Sequence, residues 1–184
     1  MSTKEEAVLR TATELFSAHG YHAVGIDRII AESNVAKMTF YKYFPSKLNL
    51  IESVLVRRDK ELRVSILEAI SRHRSPTKKL KAIFDWYGNW FGEPNFHGCM
   101  FIKASEEFSE HDSMMRDVSQ GYREWLKGVI AEILSDIGIS RTEKLASYLV
   151  VVIDGLTVKS NMYHSETAEN VDIAWSYVKE LVKN

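Results

Sequence analysis

Several features that define particular classes of protein are missing from this 184-residue sequence. A single cysteine, Cys99, excludes an internal disulfide framework, and we expect the protein to work in the reducing cytoplasm. The longest uninterrupted apolar run, residues 148–153, is far too short to cross a bilayer. The charged N-terminus also lacks the apolar stretch of a signal peptide. We therefore expect no contact with a membrane.

Motifs of catalysis and metal binding are also missing. The sequence has no glycine-rich phosphate loop, no nucleophile elbow and no paired metal-binding motif. His97, Cys99 and His111 are too scattered to form the signature of a zinc site. Cys99 lies at a predicted helix start, an environment that can make a thiol reactive, so a redox-reactive thiol and an inert, buried thiol are both open. We expect no enzymatic activity, no metal and no cofactor.

Only three prolines interrupt the chain, and it has no low-complexity stretch, which argues against long linkers. Apolar residues recur at helical spacing in nearly every segment. We predict an all-α fold of about nine helices. The first ends at Gly20, and the others cover about 26–33, 37–44, 46–73, 76–91, 99–108, 113–136, 141–163 and 168–182. The β-branched run at 149–153 would suit a strand alone, but it lacks strand partners.

The segment between residues 9 and 50 is the most informative about function. An amphipathic helix ends at Gly20, where a left-handed residue is needed. Two short helices follow, and Asn34 can join them because asparagine tolerates the positive φ of a tight turn. The second short helix carries polar, basic and aromatic side chains. This pattern predicts a helix-turn-helix motif, which lays its second helix in the major groove of DNA.

The ends of these helices have signals of their own. Ser2 or Thr3, with a glutamate three residues later, predicts a capping box at the first helix. Pro45 disfavours helical geometry at Phe44 and so ends the second short helix. Ser46 then caps the long helix that follows.

The same segment closely resembles the DNA-binding end of the TetR/AcrR family of bacterial regulators. The matching residues are Ala12, Glu14, Leu15, Phe16, Gly20, Tyr21, Ile29, Ala31, Val35, Thr39, Tyr41, Phe44, Ser46, Lys47 and Leu50. Asn34 replaces the usual turn glycine, and Gly25 and Ala36 replace side-chain caps, each at a cost of about 1 kcal/mol. Met38 stands where the family often has glycine, so we expect it to shape base preference.

Contacts with DNA are predicted mainly from the second helix of the motif. Lysine can donate to guanine, and methionine or a threonine methyl can touch the thymine methyl. We expect base readout from residues 37, 38, 39 and 41, and backbone contacts from 42 and 43. Phosphate contacts are expected at the amino end of the long helix and from the preceding helix. The predicted DNA-binding residues are Arg28, Lys37, Met38, Thr39, Tyr41, Lys42, Tyr43 and Lys47.

Charge is distributed unevenly along the chain. Residues 1–74 contain 12 Lys and Arg against 9 Asp and Glu, whereas the remaining 110 residues contain 12 against 16. A weakly basic front suits a protein that presents one end to phosphate. We predict a helix-turn-helix DNA-binding domain over residues 1–50, with a connecting helix over about 46–73. A helical effector-binding and dimerisation domain is predicted over 51–184.

Self-association is predicted from the helix around residues 145–156, which is apolar nearly all round. Such a helix must be buried on every face, so one face needs a partner. Together with the C-terminal helix it would form a four-helix interface, the dimer that the family resemblance also implies. The predicted dimer contacts are Val151, Leu156, Trp175 and Val178, and the alternative is a deep core helix in a monomer. A homodimer would read a palindromic double-stranded operator.

Aromatic and methionine side chains gather in the middle of the chain. Such side chains can form an adaptable apolar pocket, and the family resemblance implies an effector cavity in this region. The alternative is an ordinary core. The predicted ligand-binding residues are Trp86, Trp90, Phe96, Met100, Phe101, Phe108, Met115, Tyr122, Trp125 and Asn161, with Glu106, Glu107, Asp154 and Lys159 as further polar candidates.

These features together predict a sequence-specific DNA-binding transcriptional regulator. We expect a repressor that a small hydrophobic effector releases from its operator. One alternative is a helical carrier of small molecules, or an enzyme, whose helix-turn-helix is incidental. The other is a DNA-binding protein without an effector.

Overall fold

The computed structural model describes residues 2–108, 113–163 and 166–183, and over these ranges it contains nine α-helices and no strand. The helices are α1 (Thr3–His19), α2 (Ile26–Ser33), α3 (Lys37–Tyr43), α4 (Lys47–Ser71), α5 (Pro76–Phe91), α6 (Met100–Glu107), α7 (Ser113–Ile137), α8 (Thr142–Met162) and α9 (Thr167–Leu181). The predicted all-α fold is confirmed, and the predicted boundaries agree within two residues.

Packing divides the chain into two compact units. Unit 1 contains Met1–Lys60 and Cys99–Ser119, and unit 2 contains Glu61–Gly98 and Gln120–Asn184. This division differs from the predicted boundary at residue 50, because unit 1 also includes α6 and the start of α7. Helices α4 and α7 each contribute to both units. The functional division into DNA-binding and effector domains stays a prediction.

The ends of the first helices in unit 1 follow local sequence signals. Ser2 and Glu5 form the predicted capping box, in which the Ser2 hydroxyl accepts the Glu5 N–H at 3.3 Å and the Glu5 carboxylate accepts the Ser2 N–H at 3.2 Å. Asn34 adopts the left-handed conformation, with φ 53° and ψ 39°. Ser46 accepts the Asn49 N–H at 3.2 Å and so caps α4. Each of these three predictions is confirmed.

Large apolar side chains fill the core of unit 1. Phe40 and Phe44 are buried, as predicted, and they fix α3 and the residue after it. Ile29 is completely buried, whereas Ile26 and Ile30 are only half-buried. The largest fully buried side chains of this unit are Phe16, Tyr21, Phe40, Phe101, Ile29, Leu50, Ile51 and Leu55.

Unit 2 is built around the mutual packing of α5, α8 and α9. A Cβ atom on Gly88 of α5 would lie 3.3 Å from the Val171 side chain of α9, so the two helices approach closely there. Helix α4 joins α5 where the Trp86 indole donates to the Ser65 hydroxyl at 2.8 Å. Arg141 occupies the N-cap of α8 and makes no side-chain capping bond.

Within the residues that the structure describes, no helix combines the length and the apolar character that a membrane span requires.

The left-handed turn at Asn34 leads to a stability prediction. An alanine there should lower the free energy of unfolding by about 1 kcal/mol, because alanine has the same Cβ strain as asparagine in this conformation but lacks the short polar side chain that can bond to the local backbone. Asn34→Gly should stay within about 0.5 kcal/mol of the parent, since glycine adopts positive φ freely. Urea unfolding followed by circular dichroism gives both values, and equal stability of the two variants would contradict the assigned turn.

Candidate nucleic-acid interface

The outer face of α3 carries most of the residues predicted to contact DNA. Met38 is 88% exposed and Tyr41 is 42% exposed. Lys37 and Lys42 are also exposed, whereas Thr39 is half-buried. Phe40 points inward from the same short helix and prevents α3 from turning about its axis. The neighbouring side chains are therefore held pointing outward. The result is a fixed row of two cations, a methionine and a phenol on the surface.

Two of the predicted contacts already have acidic partners. The Lys37 amino group lies 3.2 Å from the Asp27 carboxylate, and the Arg28 guanidinium lies 2.7 Å from Glu32. The Lys37 and Asp27 side chains are largely exposed to solvent, and those of Arg28 and Glu32 are about half exposed. Exposed ion pairs of this kind contribute about 1 kcal/mol or less. Either cation can therefore exchange its carboxylate for another anion at small cost.

Tyr43 and Lys47 are held by contacts with the rest of unit 1. The Tyr43 hydroxyl accepts a hydrogen bond from the Ser2 hydroxyl at 2.8 Å, which ties the end of α3 to the start of α1. Lys47, the first residue of α4, donates to the His22 main-chain carbonyl at 3.3 Å. Partial burial lowers the pKa of the Lys47 amino group, and the nearby Glu107 carboxylate opposes that shift.

Glu107, at the end of α6, binds the turn between α1 and α2. Its two carboxylate oxygens accept the Tyr21 N–H at 2.9 Å and the His22 N–H at 2.7 Å. Its main-chain carbonyl lies 2.7 Å from Nε2 of the His22 ring, which must be the donor. From the sequence, Glu107 was only a further polar candidate for the effector pocket, and its role in this turn was missed. Its spacing from Met100 and Lys103 on one face of α6 was the available signal.

Other residues of α6 also bind the first helix and the turn. The buried Tyr21 hydroxyl donates to the Met100 carbonyl at 2.9 Å, and burial raises the pKa of this phenol. The Lys103 amino group donates to the Ser17 carbonyl at 2.5 Å, and burial lowers its pKa. The Phe108 ring packs against the rings of Tyr21 and His22, with centroids 5.5 and 5.2 Å apart.

The residues predicted to bind an effector are divided between the two compact units. Met100, Phe101, Phe108 and Met115 belong to unit 1 and are buried there. The other six belong to unit 2, namely Trp86, Trp90, Phe96, Tyr122, Trp125 and Asn161. The ten residues therefore do not form a single cluster within either unit.

The aromatic residues of unit 2 form continuous ring contacts. Trp86 and Trp90 pack at 5.6 Å between centroids, and Trp90 and Phe96 pack edge to face at 5.1 Å. The Tyr87 and Tyr122 hydroxyls are hydrogen-bonded at 2.5 Å in the interior, and Tyr122 lies against Trp125. Trp86 also lines a polar groove of about 290 Å³ on α4 and α5.

The polar candidates for the effector site are engaged elsewhere or exposed. Asp154 accepts two hydrogen bonds from the Arg123 guanidinium, at 3.0 and 2.8 Å. Lys159 donates to Asn170 at 2.8 Å. Asn161 is exposed, and its side chain lies 3.1 Å from where a Cβ of Gly98 would stand. Glu106 is exposed on α6.

The predicted dimer contacts differ sharply in exposure. Val151 is 68% exposed, as a partner-facing residue should be. Leu156 and Val178 are buried within unit 2, which leaves little of either side chain for a partner, and their part in an interface stays a prediction. Trp175 is half-buried against Phe84. The exposed large apolar side chains of α8 and α9, and of the residue after α8, are Tyr148, Val151, Val158, Met162, Tyr163, Ile173, Tyr177 and Leu181.

Cys99 is buried immediately before α6, which favours the inert alternative. His111, one of the three scattered zinc candidates, lies outside the described residues. Over the ranges that the structure does describe, no three His, Cys, Asp or Glu side chains are grouped to hold a metal ion.

Comparison with known proteins gives consistent matches. Residues 8–54 match the family model for bacterial regulatory proteins of the tetR family. The chain is 31% identical over 116 residues to the HTH-type transcriptional activator FasR of Mycolicibacterium smegmatis, but this covers 63% of the chain and only 42% of FasR. The chain therefore spans less than half the length of that relative.

Two further matches extend over most of both proteins. An uncharacterised HTH-type transcriptional regulator from the lacX 3′ region of Lactococcus lactis is 31% identical over 163 residues, covering 88% of this chain and 74% of that protein. The crystal structure of a TetR-family transcriptional regulator from Streptomyces coelicolor matches with a TM-score of 0.91 at 25% identity, covering 97% and 94% of the two chains. With the helix-turn-helix described above, these matches show that the chain belongs to the TetR family of bacterial regulatory proteins.

Proposed function

We propose that this chain is a sequence-specific DNA-binding transcriptional regulator, not an enzyme, that binds a palindromic operator as a homodimer. We further propose that it is a repressor that a small hydrophobic effector releases, although the relative FasR is named as an activator. The observation that carries the proposal is the outer face of α3. There Lys37, Met38, Tyr41 and Lys42 are exposed on a helix that Phe40 and Phe44 hold in place.

Base readout is assigned to Lys37, Met38, Thr39 and Tyr41. A lysine at the start of the second helix can donate to guanine O6 and N7, and an exposed methionine can pack on a thymine methyl. The apolar side chain of Met38 is almost fully exposed to water, so moving it into a groove of DNA is favourable. Lys42 and Tyr43 are assigned to the backbone, although Tyr43 must then share its hydroxyl with Ser2.

Phosphate contacts are assigned to Lys47 and Arg28. Lys47 lies in the first turn of α4, where free N–H groups and the helix dipole attract an anion. Its present acceptor is a neutral carbonyl, and a phosphate is a stronger acceptor for an ammonium group. Arg28 would exchange Glu32 for phosphate in the same way.

The homodimer is assigned to the exposed apolar side chains of α8 and α9. Val151, Val158 and Met162 line a shallow pocket of about 610 Å³ whose surface is mostly apolar. A set of large apolar side chains on two adjacent helices is unusual for a free surface and typical of an interface. Two copies related by a two-fold axis would present two helix-turn-helix motifs to the two halves of a palindrome.

The effector site is assigned to unit 2. It draws on the aromatic residues of unit 2, where Trp86, Trp90, Phe96, Tyr122 and Trp125 offer a polarisable apolar surface. A thermal-shift screen with hydrophobic compounds separates an effector-responsive regulator from one without an effector. A carrier with an incidental helix-turn-helix would bind such compounds and show no preference for any DNA sequence.

Base readout is tested with duplexes selected by the parent protein from a randomised library. Lys37→Ala should weaken binding to the selected duplex about tenfold, the effect of one lost base contact. Tyr41→Phe should weaken it severalfold, and both should leave the melting temperature nearly unchanged because both sites are exposed. Fluorescence anisotropy gives the affinities, and Lys78→Ala is the control because it removes an exposed lysine from α5. Parent-like binding by both variants would refute the assignment.

The role of Lys47 is tested by salt dependence. Lys47→Ala should weaken binding to selected and random duplexes by about the same factor, because phosphate contacts are independent of sequence. The slope of log affinity against log salt should also fall by roughly one counterion per half-site. Lys47→Arg should keep the parental slope. A changed sequence preference with an unchanged slope would point to base readout instead.

The proposed interface is tested by sedimentation at micromolar concentration. Val151→Asp should give a folded monomer, because an unpaired charge at a buried seam costs several kcal/mol. Val64→Asp, at a half-exposed valine of α4, is the control and should leave the dimer intact. A monomeric parent protein would overturn the interface and leave the palindromic operator without support.

A further inference from the structure

We propose that Glu107 of α6 is a positioning residue for DNA recognition, holding the α1–α2 turn and, through His22, the Lys47 side chain at the start of α4. The inference deepens the proposed function and rests on it. Glu107 would act on DNA only through the residues that it holds.

The turn between α1 and α2 depends on Glu107 for its hydrogen bonds. The Gly20 N–H still bonds to the Phe16 carbonyl of α1, whereas residues 21–25 lie between the two helices and outside their hydrogen-bond ladders. The Glu107 carboxylate accepts two successive ones, from Tyr21 and His22, with one oxygen for each. Hydrogen bonds from backbone N–H to a carboxylate are shorter and stronger than neutral ones. Two such bonds fix both the position and the orientation of the turn.

The backbone at Gly20 is shaped to admit this carboxylate. Gly20 has φ +81°, a conformation that side chains other than glycine rarely adopt. A Cβ at this position would lie 2.6 Å from Glu107 Oε1, well inside van der Waals contact. Glycine therefore serves two purposes here, because it permits the turn and leaves room for the acceptor.

His22 extends the contact from α6 to α4. Its N–H and ring both bind Glu107, and its carbonyl accepts the Lys47 amino group. Displacement of the turn would move the acceptor that now orients Lys47. Glu107 thus fixes the position of a residue that the proposed function assigns to phosphate.

Helix α6 is rigidly attached to the elements that it positions. Three groups at positions i, i+3 and i+7 of α6 make these attachments. The Met100 carbonyl binds the phenol of Tyr21, the Lys103 amino group binds the end of α1, and the Glu107 carboxylate binds the turn. Residues 99–119 accordingly cluster with residues 1–60 as one compact unit. The helix-turn-helix is therefore completed by a helix that follows it by more than fifty residues in the sequence.

The chain offers a matched control for the charge of Glu107. Glu106 is its neighbour on α6 and is exposed. Glu107→Gln and Glu106→Gln both remove one negative charge from the same helix. Only Glu107→Gln also removes an acceptor from the turn, because the glutamine NH₂ cannot accept the second N–H. Any difference between the variants therefore reports geometry rather than net charge.

The experiment measures the full-length variants on the duplex selected by the parent protein and on a random duplex. Glu107→Gln should weaken binding to both duplexes severalfold and by a similar factor, because the phosphate contact assigned to Lys47 is independent of sequence. The slope of log affinity against log salt should also fall, by at most the one counterion per half-site that Lys47 contributes. A purely structural role would lower the melting temperature but would not change this slope for the folded protein. Glu106→Gln should keep the parental slope.

Hydrogen–deuterium exchange of the peptide covering residues 17–24 gives an independent readout. Its amides should exchange faster in Glu107→Gln than in the parent or in Glu106→Gln. If Glu107→Gln does not fold, Glu107→Asp replaces it, since its shorter side chain keeps the charge but withdraws the acceptor. A parental salt slope in the folded Glu107 variant would overturn the inference, whether or not exchange at the turn increased. A parent protein that prefers no duplex would instead overturn the proposed function.

Discussion

A helix of seven residues cannot maintain its own structure in water, and α3 is such a helix. It exists because Phe40 and, just beyond its end, Phe44 are buried, each contributing roughly 1.5–3 kcal/mol. The remaining structure of unit 1 serves this burial. The left-handed Asn34 sets the direction in which α3 starts, and the extended Phe44 before Pro45 sets where it ends. Burial of Phe40 and Phe44 therefore determines which side chains of α3 are exposed.

Acidic side chains on the helix-turn-helix weaken its electrostatic attraction to DNA. Asp27 and Glu32 lie beside Lys37 and Arg28, so two cations of the helix-turn-helix are partly neutralised. A surface with a large unpaired positive charge would bind any duplex strongly, because phosphate attraction does not depend on sequence. Neighbouring carboxylates reduce this sequence-independent attraction to phosphate. Under the proposed function, discrimination then depends on the geometry of α3, which is why the residues that fix its surroundings matter.

The fold was predictable because its determinants are local. Apolar periodicity located the helices, and Ser2, Asn34 and Ser46 fixed ends through contacts within a few residues. Which sides of α8 and α9 are buried could not be predicted in the same way. Val151 and Val178 both lie on apolar stripes, but one is exposed and the other is buried, since α8 and α9 also pack on α5. The role of Glu107 was equally hidden, because its partners lie more than eighty residues away.

The long separation between Glu107 and Tyr21 also has a consequence for biosynthesis. The two residues are 86 positions apart, and a ribosome adds roughly 5–20 residues per second. About 4–17 s therefore pass between the addition of Tyr21 and the addition of Glu107 at the end of α6. During that interval the nascent chain has a turn without its acceptors and a Tyr21 ring without its cover. Unit 1 can reach its final packing only after most of α6 has emerged, so a chain interrupted before that point would lack a finished helix-turn-helix.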